Sequence, residues 1–344
     1  MKILAVLMQY DYGVKERGYS FEYYNIYLPL TEVYKKENVL LFDFKTIYNE
    51  HGKTELNKQL IEYVSMEKPD ITIFCLFEHE IEPDTVRKAG ERTTTVSYFI
   101  DDPWRQSFAR FWIPCFDYFS TPDYYMYRQY LSEGIRNVIY SPFGFNKDIY
   151  KKKDLPKKYD VSFVGGFSPL RKWTISLLEK EGVKVNVFGR GWGQKNNFIS
   201  QDEMVDIFNQ SKINLNLSNG ISYDMKFLLY SVRSLRAVKE ILLLKKSREQ
   251  VKGRHYEING CGGFQLSYFV PGLNCAYKIE EEIAVFDNVY NLAGQIKFFI
   301  KNDRLRQSIA GAGYIRSLKE HTSQNYLQNL IGKIENERNV KKHQ

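Results

Sequence analysis

The sequence predicts an α/β protein with two domains in tandem. The chain has 344 residues, which is more than one hydrophobic core usually serves, so two domains are expected. Short apolar runs alternate with longer amphipathic stretches, and this alternation is typical of repeated strand–helix units around a parallel sheet. A polar, proline-containing segment interrupts the alternation near residue 150, after which it starts again.

The first half of the chain predicts one sheet. Its helical stretches include residues 55–67 and 124–133. Its apolar runs are continuous rather than alternating, which favours strands buried on both faces. The predicted strands are 3–8, 39–42, 71–77, 95–100, 118–120 and 138–140. We therefore assign the first domain to residues 1–150.

The segment 151–158 is rich in lysine and contains a proline, so it predicts a linker. A second domain is expected over residues 151–322, and a final helix and tail over 323–344. The predicted strands of the second domain are 160–164, 183–188, 213–217, 264–266 and 275–277. The predicted helices are 169–180, 201–210, 280–301 and 303–320.

The composition excludes several classes of protein. Hydrophobic residues make up 43% of the chain and charged residues 26%, which is ordinary for a folded globular protein. No apolar run reaches the roughly 18 residues of a membrane span, and the short apolar start is better explained as a buried strand than as a signal peptide. The sequence predicts that the protein is located in the cytoplasm, either free or at the inner face of the membrane. The four cysteines are far apart, so no metal site is expected.

The basic residues cluster in one segment. The net charge is +8, and residues 226–254 contain nine Lys or Arg against two Glu. Apolar residues in 222–248 recur at helical spacing, which predicts a basic amphipathic helix. Such a helix either packs on its own domain or makes peripheral contact with an anionic membrane through 226–248. No nucleic-acid-binding motif is present, so no nucleic-acid partner is expected.

A strand-to-helix turn in the second domain carries two glycines. Gly165 and Gly166 follow the strand 160–164, and Arg171 and Lys172 begin the next helix. Glycines let backbone N–H groups approach a ligand, and the helix N-terminus favours phosphate. The alternative is an ordinary turn followed by solvated cations. The sequence lacks both GxxxxGK[ST] and GxGxxG.

A second motif lies at residues 251–264. Glu257 sits in a short predicted helix that ends in glycines, where a carboxylate needs a partner. The partner is either a ribose diol or Arg254, in a structural ion pair. Glu249 lies eight residues earlier and gives an E-x7-E spacing.

Two adjacent acids end a strand in the first domain. Asp101 and Asp102 stand where α/β folds bind ligands, so either could act as a general base or orient an acceptor hydroxyl. The alternatives are a Mg²⁺ site and a helix N-cap. The loop 10–20 after the first strand is expected to border the same cleft.

Three segments together carry a family resemblance. FVGGFSPLR at 163–171, FGRGW at 188–192 and KGRHYEINGCGGF at 252–264 resemble GT-B-fold glycosyltransferases. The pattern is similar to the spore-maturation-protein-like (CgeB-type) branch, related to the retaining glycogen-synthase-like family. The resemblance extends from about residue 94 to 325. It implies two Rossmann-like domains facing a central cleft, with the acceptor on the first and a nucleotide-sugar on the second.

The resemblance also implies site residues. Glu257 would hold the ribose, Glu249 the donor sugar, and Arg254 the leaving diphosphate. Asp101 or Asp102 would serve the acceptor. The remaining donor-side positions are Gly165, Gly166, Arg171, Lys172, Gly262 and Gly263, the last two leaving room for phosphate or sugar.

The reaction implied is transfer of a sugar to a hydroxyl of a glycan, a lipid-linked or a protein acceptor. Retention of configuration and no metal cofactor are expected. A nucleotide-sugar epimerase of the same fold and a catalytically silent binding subunit are the alternatives.

Overall fold

The computed structural model describes residues 1–193, 199–218, 220, 222–232, 234–243 and 248–342. The chain divides into two compact units. The first unit contains residues 1–146 together with 322–344, and the second contains residues 147–321. Each unit is built on its own parallel sheet.

The first unit has a six-stranded parallel sheet in the order β2-β1-β3-β4-β5-β6. All residues of β1 and β3 are buried because helices cover both faces. The strands are β1 Ile3–Leu7, β2 Val39–Asp43, β3 Ile71–Phe74, β4 Thr94–Tyr98, β5 Tyr118–Thr121 and β6 Val138–Tyr140. The helices are α1 Leu28–Tyr34, α2 Phe44–Glu67, α3 Pro83–Gly90, α4 Gln106–Trp112 and α5 Tyr124–Ser132.

Successive side chains of β1 enter separate hydrophobic clusters on the two faces of this sheet. Leu4 and Val6 join the cluster that includes Trp112, and Ile3 and Ala5 join the opposite one. The last helix of the chain, α14 Ser323–Lys342, contributes Leu327, Leu330, Ile331 and Ile334 to the second cluster. The segment predicted as a closing helix is therefore part of the first unit's core.

The second unit has a five-stranded parallel sheet in the order β11-β10-β9-β7-β8. Its strands are β7 Tyr159–Val164, β8 Asn186–Phe188, β9 Ser211–Asn216, β10 Gln265–Tyr268 and β11 Ala284–Phe286. Its helices are α6 Pro169–Lys180, α7 Gln201–Gln210, α8 Met225–Ser231, α9 Leu235–Leu242, α10 Gly253–Gly260, α11 Leu273–Ala276, α12 Val289–Lys301 and α13 Asp303–Glu320.

Three predicted elements of this unit were wrong in type or extent. The predicted helix 280–301 is an edge strand, β11, which pairs in parallel with β10, followed by the helix α12. The predicted strand 275–277 overlaps the short helix α11. The predicted helix 222–248 is interrupted, because the hydroxyl of Ser234 accepts from the Ala237 N–H and starts a new helix, α9.

Among the described residues, no helix is both long enough and apolar enough to cross a membrane.

Candidate functional site

The carboxyl ends of the second unit's strands lie at one edge of its sheet. Because all five strands are parallel, the loops after β7, β8, β9 and β10 meet at this edge, where open α/β sheets bind ligands. Helix α6 starts here: the hydroxyl of Ser168 accepts from the N–H of Arg171 at 3.3 Å. The positive end of the helix dipole therefore points to the same edge.

The loop after β7 packs tightly against the loop after β8. A Cβ atom on Gly189, whose φ is +127°, would lie 2.5 Å from the carbonyl oxygen of Gly165. The same oxygen accepts from Nε1 of Trp192 at 2.9 Å. Gly166 differs, because a Cβ there would meet nothing closer than 3.9 Å. The backbone of Gly165 is thus packed against other protein atoms, whereas the backbone of Gly166 is open to a ligand from solvent.

The Arg171 guanidinium is held in a fixed position beside this loop. Its N–H groups donate to the carbonyls of Gly166 at 2.8 Å, Leu217 at 3.0 Å and Ser218 at 3.2 Å. Burial lowers the pKa of Arg171 to about 10, so the group stays charged at neutral pH. Lys172 lies exposed on the first turn of α6. The structure therefore supplies one fixed cation and one solvated cation at this helix start.

Glu249 lies at the same edge. One carboxylate oxygen is hydrogen-bonded by the Ser218 hydroxyl. The other, Oε2, is buried and has no hydrogen-bond partner among the described residues. A buried acceptor without a partner is costly, and a sugar hydroxyl could supply the missing donor. An adjoining cavity of about 310 Å³ is lined by Leu217, Ser218, Tyr223, Glu249, Tyr268 and Asp287 among others.

Glu257 and Arg254 form an ion pair within α10. The Arg254 Nη1 and Glu257 Oε2 atoms are 2.7 Å apart, and the other oxygen of Glu257 accepts from the Tyr150 hydroxyl at 2.8 Å. This is the structural ion pair that the sequence offered as one alternative. A carboxylate has about four acceptor positions, so the pair does not exhaust the hydrogen-bonding capacity of Glu257. A ribose contact by Glu257 stays a prediction.

The expected role of Gly262 and Gly263 was wrong. Helix α10 runs from the carboxyl edge to the amino edge of the sheet, and both glycines follow it, immediately before β10. A Cβ on Gly263 would lie 2.8 Å from Nδ2 of Asn214. Gly262 has a φ of +68°, and a Cβ there would meet the Lys152 side chain at 3.0 Å. These glycines permit close packing of helix and strand at the opposite edge of the sheet, away from Arg171 and Glu249.

The two acids after β4 lie in different environments. Asp102 is completely buried, and the Tyr130 hydroxyl donates to its carboxylate at 3.1 Å. Burial raises the pKa of Asp102 to about 6. Because no part of Asp102 reaches the surface, it is not placed to touch an acceptor, contrary to expectation. Asp101 is partly exposed, and its Oδ2 lies 3.1 Å from Nη1 of Arg105.

The N-cap alternative for these acids has a structural answer, whereas the Mg²⁺ alternative stays a prediction. Helix α4 starts at Gln106, and its N-cap residue is Arg105, so neither aspartate caps it. In the described part of the chain, no group of three or more His, Cys, Asp or Glu side chains is placed to hold a metal ion.

Glu22 is a candidate that the sequence reasoning missed. It is 7% exposed and lies in the helical turn after the loop that follows β1. Burial raises the pKa of Glu22 to about 7, and the charges of Asp101 and Asp11 contribute to the rise. Such a carboxyl exchanges a proton near neutral pH, as a general base must. The signal in the sequence was an acid inside an aromatic run, Phe21-Glu22-Tyr23-Tyr24.

Comparison with known proteins identifies the fold. Residues 171–332, slightly less than half of the chain, match a family model described as glycosyl transferase-like. No curated protein sequence matches the chain significantly.

Solved structures match over nearly the whole chain. Sucrose-phosphate synthase from Thermosynechococcus elongatus is 9% identical with a TM-score of 0.64, covering 99% of this chain and 100% of that one. HepE of Anabaena, solved with UDP-glucose, is 12% identical with a TM-score of 0.59, covering 98% and 100%. A putative UDP-N-acetylglucosamine 2-epimerase from Listeria monocytogenes is 9% identical with a TM-score of 0.58, covering 99% and 98%. The chain therefore has the GT-B fold of two Rossmann-like units, and its part from Arg171 to Gly332 matches a glycosyl transferase-like domain.

Proposed function

We propose that this protein transfers a sugar from a nucleotide-sugar donor to an acceptor hydroxyl. The observation that carries the proposal is the fixed guanidinium of Arg171, which lies beside the open backbone of Gly166 at the start of α6. A fixed cation and a helix N-terminus at one point suit a diphosphate. The likeness in fold to a structure solved with UDP-glucose supports the same donor class.

The proposed donor site accounts for the charge that develops during transfer. The leaving nucleoside diphosphate gains negative charge, and preorganised cations stabilise such charge without reorganisation. Arg171 supplies the fixed cation, and Arg254, whose side chain is 26% exposed, is a second candidate. Glu249 is proposed to accept a hydrogen bond from the donor sugar, and Glu257 from the ribose. Lys172, exposed on the same helix, contributes only a screened charge.

The proposed acceptor side is the carboxyl edge of the first unit's sheet. Asp101 and Glu22 are the acids proposed to accept a hydrogen bond from the acceptor hydroxyl, which belongs to a glycan, a lipid-linked sugar or a protein.

Retention of configuration is proposed from the family resemblance, and the anomeric configuration of the product, read by NMR, decides it. Residues 226–248 are also proposed to make peripheral contact with a membrane.

A thermal-shift experiment tests the donor site. A ligand that binds only the folded protein raises the melting temperature by an amount set by its concentration relative to Kd. We expect one of UDP, GDP, CDP and dTDP, or its sugar, to raise the melting temperature in a saturable way. Because no metal is proposed, the shift should persist in excess EDTA. No shift with any nucleotide would remove the donor site and favour the silent subunit; a shift lost in EDTA would reject the metal-free mechanism.

The epimerase alternative rests on the likeness in fold to the putative Listeria epimerase. An epimerase shares the donor site and needs no acceptor. Incubation of the identified nucleotide-sugar with the protein alone separates the two functions. An epimerised or freed sugar formed without acceptor would favour the epimerase, whereas turnover that depends on an added hydroxyl acceptor supports the transferase.

Replacing Glu257 by glutamine distinguishes the ribose contact from the structural ion pair. We expect affinity for the ribonucleotide to fall about tenfold, since a neutral amide replaces a charged acceptor. The fold should survive, because glutamine keeps the side chain's shape and one acceptor oxygen. Circular dichroism and a melting curve without ligand are the controls. Unfolding of the variant at room temperature would show that Glu257 serves the Arg254 and Tyr150 contacts alone.

A further inference from the structure

Helices α8 and α9 of the second unit expose an apolar surface that the proposed chemistry does not use. Large apolar side chains on a surface are common singly, but a cluster of them marks a binding surface. Leu235 is 92% exposed, and the other members are each more than half exposed. We define the 225–243 surface by the exposed apolar residues Met225, Leu229, Val232, Leu235, Leu242 and Leu243.

The exposed side chains follow helical spacing, so they share faces. Met225, Leu229 and Val232 lie at positions i, i+4 and i+7 along α8 and its C-cap. Leu235 and Leu242 are seven residues apart on α9, and the exposed Lys239 lies between them on the same face. Each helix thus presents an ordered apolar face to solvent.

The opposite side of α8 is anchored to the unit. Phe227 is buried, and its ring centroid lies 5.4 Å from that of Trp173 on α6. The Asp224 side chain caps α8 and also accepts from the Tyr290 hydroxyl at 2.9 Å. The exposed face is therefore part of a helix whose other face is packed and capped.

The net charge of the sequence segment that contains the 225–243 surface indicates what covers it. The sequence from 226 to 254 carries a charge of +7, from nine Lys or Arg and two Glu. A second copy of this surface would bring like charges together, and an anionic nucleic acid would leave the leucines in water. An anionic lipid bilayer suits both the exposed apolar side chains and the positive charge. Its acyl region receives the apolar side chains, and its headgroups attract the cations.

We propose that the 225–243 surface docks on an anionic lipid bilayer and holds the protein there as a peripheral membrane protein. Ser222 and Tyr223, immediately before α8, line the cavity beside Glu249. Docking therefore brings the proposed donor site near the membrane surface. This consequence for catalysis rests on the proposed function, whereas the docking itself does not.

Vesicle sedimentation tests the proposal with the full chain. Wild-type protein should sediment with vesicles of three parts phosphatidylcholine to one part phosphatidylglycerol, and much less with phosphatidylcholine alone. Raising the salt from 0.1 M to 0.5 M should weaken binding, because screening shortens the reach of the cations. The triple variant Leu229→Gln, Leu235→Gln, Leu242→Gln should lower the vesicle partition coefficient at least tenfold. A matched variant, Met66→Gln with Ile315→Gln, changes similarly exposed apolar residues elsewhere and should bind like wild type.

The outcomes separate docking from the proposed function. The triple variant should show the same nucleotide thermal shift as the wild type, because its changes lie on the exposed face. If neither the wild type nor the triple variant shows a thermal shift with any nucleotide, the donor site is rejected and the docking proposal is unaffected. Absence of wild-type binding to anionic vesicles, or equal binding by the triple variant, would overturn docking. Light scattering adds one more outcome: a wild-type dimer that the triple variant abolishes, without vesicle binding, would make the surface an interface between copies.

Discussion

Replacing Arg171 by alanine is expected to lower affinity for the nucleoside diphosphate about 100-fold. The guanidinium donates to the carbonyls of Gly166, Leu217 and Ser218, and these bonds leave N–H groups for a phosphate, since a guanidinium has five. Hydrogen bonds between charged groups contribute about 1.5–3 kcal/mol each, so losing one or two gives an effect of this size. Titration calorimetry with the nucleotide found by thermal shift measures it.

Two matched variants define the cause of that loss. Lys172→Ala removes the neighbouring cation, which is exposed, and should change affinity less than threefold. Arg171→Lys keeps the charge but loses the planar fork that bonds several carbonyls, so an intermediate loss is expected. Unaltered affinity in Arg171→Ala would remove this residue from the donor site, and equal losses in the Lys172 and Arg171 variants would point to net charge alone.

Replacing Glu22 by glutamine should make folding stability less dependent on pH. Glutamine resembles the protonated carboxyl, so at pH 5, close to the unfolded-state pKa, the variant and the wild type should differ in stability by less than about 1 kcal/mol. The folded-state pKa of Glu22 is raised from 4.5 to about 7, so the folded wild type loses stability as the pH rises from 4.5 through 7. Each pKa unit corresponds to about 1.4 kcal/mol. At pH 8 the variant should therefore be more stable by about 3 kcal/mol, measured by denaturant unfolding.

The exposed carboxyl of Glu16, in the loop before Glu22, provides the control for this experiment. Glu16→Gln should stay within about 0.5 kcal/mol of the wild-type stability, as is usual for a substitution on the surface. A Glu22 variant that is no more stable than wild type at pH 8 would contradict burial as the cause. Loss of transfer in Glu22→Gln with nucleotide affinity retained would support its proposed role toward the acceptor.

The sequence predicted the strands with continuous apolar runs, because such runs need cover on both faces. β1, β3 and β9 lie where expected. It failed for β11, a three-residue strand at the edge of the sheet, whose pairing with β10 is not local. The side chain of Asn288 caps α12 by accepting from the N–H of Tyr290, and this cap was the local signal for the helix start.

The part of the candidate site that directly follows the end of β7 was predictable from the sequence. Gly166 and Arg171 follow β7 directly, so their place at the carboxyl edge follows from chain order. Residues at the far end of a helix were misplaced, as with Gly262 and Gly263, because α10 carries the chain to the opposite edge. Burial was not predictable either: Asp102 is completely buried and accepts from the Tyr130 hydroxyl, whereas the adjacent Asp101 reaches the surface.

Three features were readable from the chain alone: the two-unit α/β architecture, the position of Gly166 and Arg171 at a strand-turn-helix junction, and the basic, apolar character of 226–248. Each of these depends on the order and spacing of residues along the chain. Three others appear only in the folded chain: Glu22 lies buried near Asp101, Glu249 keeps one carboxylate oxygen without a partner among the described residues, and one side of α8 faces solvent. These properties depend on what distant segments bring to each side chain, because burial and neighbouring charge set its hydrogen bonding and its pKa.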